Sequence, residues 1–199
     1  MKKNIQSLLF PLLLAASLGS PADASFEPGT WALTPTAGIA FFDANGSTGK
    51  APNAGLRLGY GVGSDDLPGE LHVEGVFSAA RLTPSSVSNS AESYTLRIGP
   101  LWAFAPVIGI TPLANAGFGM LYGNGNPQTK TAINPFFSFG CGASYSFGSR
   151  MALRADVSRF QTLDSAVARG YEVMLGLSYA FDRAAPKSAA LSAAPVAPR

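Results

Sequence analysis

The chain has 199 residues, with 14 Lys and Arg against 12 Asp and Glu, one histidine and one cysteine. A formal net charge of +2 gives no electrostatic drive toward nucleic acid, and a lone thiol excludes an internal disulfide. Only 13% of the residues are charged while 22 are glycine, which is dilute in charge for a soluble domain and suits a sheet with one face in lipid and a cramped interior.

The first element is an export leader. Lys2 and Lys3 precede an apolar run over residues 8–18, and Ala22, Asp23 and Ala24 supply the small-x-small pattern for a cut ahead of Ser25. The run is shorter than the roughly 20 residues a helical span needs, so residues 1–24 read as a cleaved signal peptide and not as an anchor. No cysteine follows the cut, and a lipoprotein anchor is not indicated. Loss of Lys2, Lys3 and Asp23 leaves 12 basic and 11 acidic residues in the mature chain.

Eight strands follow, each near the roughly 9 to 11 residues of a tilted transmembrane strand. In each, large apolar side chains recur at every second position, which places them on one face with Gly, Ser and charged residues opposite. Strand one, residues 30–41, turns Trp31, Leu33, Ala37, Ile39 and Phe41 to the apolar side. Strand two, 53–62, turns Leu56, Leu58, Tyr60 and Val62; strand three, 70–80, turns Leu71, Val73 and Phe77; strand four, 93–104, turns Tyr94, Leu96, Ile98, Trp102 and Phe104. Strand five, 108–122, shows Ile110, Ala114, Ala116, Phe118, Met120 and Tyr122, and strand six, 135–147, shows Phe137, Phe139, Cys141, Tyr145 and Phe147. Strand seven, 151–160, shows Met151, Leu153, Ala155 and Val157. Strand eight, 170–181, shows Tyr171, Val173, Leu175, Leu177, Tyr179 and Phe181. Cys141 is thus expected to act as a small hydrophobe in lipid.

Residues 100–122 are long and apolar enough to pass for a membrane helix. Pro106 and Pro112 each remove a helical hydrogen bond, and Gly109, Asn115, Gly117 and Gly119 lower helix propensity, so a hairpin at Pro106 is expected instead. Pro100 and Pro112 then fall inside strands paired on both sides, at the cost of ladder bonds. The connections at 64–69, 105–107 and 148–150 are tight, whereas those at 43–52, 82–92, 123–134 and 161–169 are longer and polar. Short turns face the periplasm and longer loops face outward in transmembrane barrels. The expected fold is therefore all-β, an eight-stranded antiparallel up-and-down transmembrane barrel over residues 25–181. Aromatic belts are expected at both interfaces: Trp31, Tyr60, Trp102, Phe104, Phe147, Tyr179 and Phe181 below, Phe41, Phe77, Tyr94, Tyr122, Phe137 and Tyr171 above. Residues 182–199, rich in Ala, Pro and Ser, are expected to form a disordered periplasmic tail.

Three phrases, TPLANAGFGMLY, NPFFSFGCGASYSF and YEVMLGLSYAF, together with the leader and the Ala/Pro tail, resemble the OmpA-like transmembrane barrel family of small eight-stranded outer-membrane proteins. The resemblance implies localisation in the outer membrane of a Gram-negative-type envelope. It also implies contact with outer-membrane lipids and lipopolysaccharide, and a monomer. The alternation from Tyr171 to Phe181 resembles the C-terminal signal by which the barrel assembly machinery recognises its clients. In larger relatives an Ala/Pro linker leads to a peptidoglycan-binding domain; here the sequence reaches Arg199 without one, so cell-wall tethering is not expected.

Within the barrel, Arg57, Glu74, Arg97, Arg154, Asp156 and Glu172 all take the face opposite the apolar set. A basic residue turned to hydrocarbon at mid-membrane would cost roughly 2–4 kcal/mol, which favours the inward register. Arg57, Glu74, Arg154 and Asp156 lie at similar depth and are expected to form one network across the lumen, either as a plug or as a gate for small solutes. His72 points inward near the periplasmic end with Glu70 and Glu74, and one histidine without clustered ligands makes no zinc site. No cofactor and no catalytic set is expected. The reading is a non-enzymatic envelope protein; the alternatives are a channel for small or hydrophobic solutes and, third, a lipid A-modifying enzyme.

Overall fold

The computed structural model describes residues 28–44, 47–63, 69–82, 91–124, 132–147, 149–163 and 169–181. The leader and the tail lie outside these residues. Eight strands, β1 (Trp31–Ala44), β2 (Ser47–Gly61), β3 (Glu70–Leu82), β4 (Ala91–Ala103), β5 (Ile110–Asn124), β6 (Ala132–Ser146), β7 (Met151–Thr162) and β8 (Arg169–Phe181), pair antiparallel in sequence order. β1 pairs with β8 and closes the barrel. No edge is left to pair with another chain, and every strand finds both its backbone partners within the wall.

Period two decides which side chain goes where. In β8, Tyr171, Val173, Leu175, Leu177 and Tyr179 are exposed, while Gly170, Glu172, Met174, Gly176, Ser178 and Ala180 are buried. An exposed apolar band of this extent has no place in water; it is the lipid face. Its aromatic residues pair along the rims, with Trp31 and Tyr60 at 4.7 Å between centroids below, and Phe77, Tyr94 and Tyr122 in file above at 6.4 and 6.2 Å. The stretch read as either helix or hairpin is the end of β4, a turn and β5, and no helix among the described residues is long and apolar enough to cross a membrane.

Several strand ends differ from the sequence reading, among them the 123–134 connection, where Tyr122 pairs with Ile133 and Gly123 with Ala132, and two of the differences have a clear physical cause. The 43–52 connection is no long loop, because Asp43 pairs with Thr48 and Ala44 with Ser47. Beyond the upper aromatic belt a strand no longer needs an apolar outward face, so the period-two signal fades while the backbone ladder continues. The hairpin expected at Pro106 is centred instead on Ile108 and Gly109. Val107 and Ile110 exchange both backbone hydrogen bonds, at 2.8 and 3.0 Å, and the two turn residues have φ of 53° and 74°. That is the type I′ arrangement, which matches strand twist but puts a β-branched residue in the left-handed region.

The wall prolines lose bonds on one side only. Pro35 pairs with Leu56 of β2, but the β1–β8 ladder is interrupted between Leu33↔Tyr179 and Thr36↔Gly176. Pro100 pairs with Val73 of β3, and the β4–β5 ladder is interrupted between Ile98↔Phe118 and Leu101↔Asn115. A strand residue presents its N–H to one neighbour, so the missing donor weakens a single seam. Pro112 pairs with Ala143, and its carbonyl accepts the Phe104 N–H at 3.0 Å.

Candidate functional site

Inward positions of all eight strands meet in a lumen too narrow to stay open. At its middle stand three guanidiniums and three carboxylates, all buried: Arg57, Arg97 and Arg154 against Glu74, Asp156 and Glu172. Four of them form a closed ring. Arg57 Nη1 donates to Glu74 Oε2 at 3.3 Å and its Nη2 lies 3.6 Å from Asp156 Oδ2. Arg154 spans both carboxylates, donating to Asp156 through Nε at 2.8 Å and Nη2 at 3.0 Å, and to both oxygens of Glu74. Arg154 and Asp156 reach each other because residues i and i+2 of a strand share a face, whereas Glu74 comes from β3 on the far side of the wall.

Arg97 and Glu172 form a second, looser pair toward the extracellular side, at 3.9 Å. Each has a neutral partner as well: Arg97 Nη1 donates to Ser138 Oγ at 3.2 Å, and Asn53 Nδ2 donates to Glu172 Oε1 at 3.2 Å. The six charges therefore sum to zero inside the barrel. Isolated, any one of them would cost several kcal/mol of desolvation; in the ring each faces opposite charge on two sides. Asn115 Nδ2 and the Arg57 Nε are buried without a hydrogen-bond partner. A void of about 10 Å³ beside Glu74, Arg97 and Asn115 is of the order that holds one water.

Apolar layers lie above and below this polar belt, and the sequence reading missed them. On the extracellular side Phe42, Leu121, Phe136 and Phe160 pack together, with Phe42 and Phe160 edge to face at 5.5 Å and Phe136 and Phe160 at 6.3 Å. Ala40, Ala51 and Ala80 extend that layer beneath Phe42. On the periplasmic side Leu101, Ala103 and Leu113 form a smaller cluster. Parity alone places Phe42, Phe136, Phe160, Leu101 and Leu113 inward, so the signal was present; at Phe42, Phe136 and Leu101 it is masked by equally apolar outward neighbours, Phe41, Phe137 and Trp102.

Other candidate residues are placed as follows. His72 is buried in the lower lumen, with Nε2 3.9 Å from Glu70 Oε2, and among the described residues no group of three His, Cys, Asp or Glu residues is set to hold a metal. Cys141 is exposed on the lipid face. Tyr171, Val173, Leu175, Leu177, Tyr179 and Phe181 line the outer face of β8, and Phe181 pairs with Trp31 at the closing seam.

Comparison with known proteins agrees with this architecture. The family model described as outer membrane protein beta-barrel domain matches residues 8–181. Neisserial surface protein A superposes with a TM-score of 0.62 at 14% identity, covering 77% of this chain and 97% of the other. The N-terminal β-barrel domain of Pseudomonas aeruginosa OprF gives 0.54 at 15% identity, covering 77% and 98%. The attachment invasion locus protein Ail of Yersinia pestis gives 0.53 at 16%, covering 78% and 100%. At these identities the likeness is one of fold. No curated protein is significantly similar in sequence. With the closed eight-stranded wall, the lipid-facing band and the family match over most of its length, the chain belongs to the outer membrane protein beta-barrel domain family and resides in the outer membrane.

Proposed function

We infer that this protein is a non-enzymatic structural barrel whose lumen is held shut. One observation carries the reading: the Arg57, Glu74, Arg154, Asp156 ring fills the mid-lumen between an aromatic layer and a leucine layer. A solute would have to break a neutral ion-pair cycle and two apolar seals in succession, and eight strands leave an interior just wide enough for side chains to fill. The test is conductance. Purified barrel in planar bilayers should show no stable level above leak; a reproducible open level would transfer the reading to solute transport.

Export, assembly and lipid contact complete the proposal. The leader is cut before Ser25, the outward row ending in Phe181 serves as the recognition strand for the barrel assembly machinery, and the mature protein works as a monomer among outer-membrane lipids. The outer-membrane fraction should then contain a chain beginning at Ser25 whose gel mobility shifts on heating. Phe181→Asp should largely remove it from that fraction, whereas deletion of residues 182–199 should not. The reverse order of damage would mean that the recognition segment lies elsewhere.

A further inference from the structure

We propose that the turn between β4 and β5 is an apolar anchor seated in the head-group layer of the inner leaflet, and that it does not stand in the periplasm. Phe104, Ala105, Pro106, Val107 and Ile108 are all exposed, and no side chain from Ala103 to Ile110 is polar. In water such a surface would be a liability. The other two connections at this end of the barrel are built differently: 64–69 contains Asp65 and Asp66, and the connection after Phe147 exposes Ser149 and Arg150.

Turn chemistry does not account for an isoleucine at the tip. With φ of 53° at Ile108 and 74° at Gly109, the backbone takes a form that asparagine followed by glycine adopts without strain, whereas a β-branched residue is strained there. Packing inside the protein supplies no reason either, since Ile108 is 80% exposed. Its surroundings do. Val107 and Ile110 are bridge partners and so share a face, and Ile110 pairs in turn with Tyr145 of β6. A Cβ on Gly109 would meet the Tyr145 ring at 3.9 Å, and the Trp102 and Phe104 rings lie 6.2 Å apart on the same outer face. The lipid-facing band therefore continues onto the turn without a charge to interrupt it. Ile108 is two residues past Ile110, which is about 6.6 Å along the strand and roughly 5 Å along the membrane normal at the usual barrel tilt. With about 30 Å of hydrocarbon inside about 40–45 Å of bilayer, the head-group layer is roughly 5–7 Å deep on each side, so a tip this short stays within it.

Seating of the turn presupposes the lipid-facing band and does not depend on whether the lumen conducts. The full chain, with its isoleucine methyl groups labelled for NMR, is refolded into nanodiscs of phosphatidylethanolamine and phosphatidylglycerol that contain no lipopolysaccharide. Paramagnetic broadening is then compared between a phospholipid carrying a nitroxide near the top of its acyl chain and a water-soluble gadolinium chelate. The Ile108 methyl should lose most of its intensity to the lipid nitroxide, as Ile110 does, and keep most of it in the chelate, as Ile98 does on the outer face of β4. Broadening of Ile108 by the chelate with Ile110 protected overturns the proposal, because it puts the tip in water and leaves a periplasmic protein as the occupant. Ile108→Asn tests the same point from the other side, since it supplies the residue that the turn favours while removing the apolar contact. Ile110 in that variant should become more sensitive to the chelate, with Ile98 unchanged. If Ile110 stays as protected as in the wild type, Ile108 shapes the turn without anchoring it, and the proposal fails.

Discussion

Glu74→Ala should destabilise the folded barrel by about 3–5 kcal/mol, because it leaves two buried guanidiniums facing each other across an empty position. Arg57 and Arg154 both contact the Glu74 carboxylate, and Asp156 alone then answers both. Equilibrium urea unfolding in vesicles measures the loss. A double-mutant cycle apportions it: Arg57→Ala and Arg154→Ala should each cost less in the Glu74→Ala background than alone. The coupling to Arg154, which reaches both carboxylate oxygens, should exceed that to Arg57. Energies that add within about 0.5 kcal/mol would mean that the ring contributes no pairwise stability. Conductance of Glu74→Ala should stay at leak, since the apolar layers on either side of the ring remain.

A side chain at Gly38 should be tolerated poorly for reasons of space alone. Its Cβ would strike the Val173 carbonyl oxygen of β8 and stand 2.8 Å from the Met174 sulfur and 2.9 Å from the Met174 Cα. Most of that obstacle is backbone, so relief requires β1 and β8 to part at the closing seam. Gly38→Ala should cost about 1–3 kcal/mol, and Gly38→Val more, with a smaller folded fraction by gel mobility. Gly123 supplies the contrast, because a Cβ there meets nothing within 4 Å. Gly123→Ala should be near neutral, and equal losses at the two sites would show that strand propensity, not crowding, sets the cost.

Much of this was legible because lipid enforces a simple rule. A charge on the outer face is costly, so Arg57, Glu74, Arg97, Arg154, Asp156 and Glu172 declare the inner face of five strands, and the alternating apolar residues declare the outer. What parity does not encode is pairing across the lumen. Arg154 and Asp156 are two residues apart, but their meeting with Glu74, 80 residues from Arg154 along the chain, depends on wall curvature and register. The upper strand ends were illegible for a different reason: Asp43, Ser47, Thr48 and Lys50 carry no apolar alternation, although their backbones pair. The Ile108–Gly109 turn offered no sign either, since a β-branched residue is among the last expected at positive φ.

The closing seam has a consequence for how the chain is wired. Trp31 and Phe181 are ladder partners at the same end of the wall, so the two termini of the barrel stand side by side, as the ends of β4 and β5 do where a turn joins them. Seven seams join strands that are consecutive in sequence; the eighth joins the first to the last. A short peptide from Phe181 to Trp31 would make all eight seams alike, and a new break in an outer connection would then yield a circular permutant with the same wall, lumen ring and lipid face. Chain order thus governs the sequence in which hairpins can form during assembly, and the late, long-range closure that follows, while the finished cylinder keeps no record of where it began.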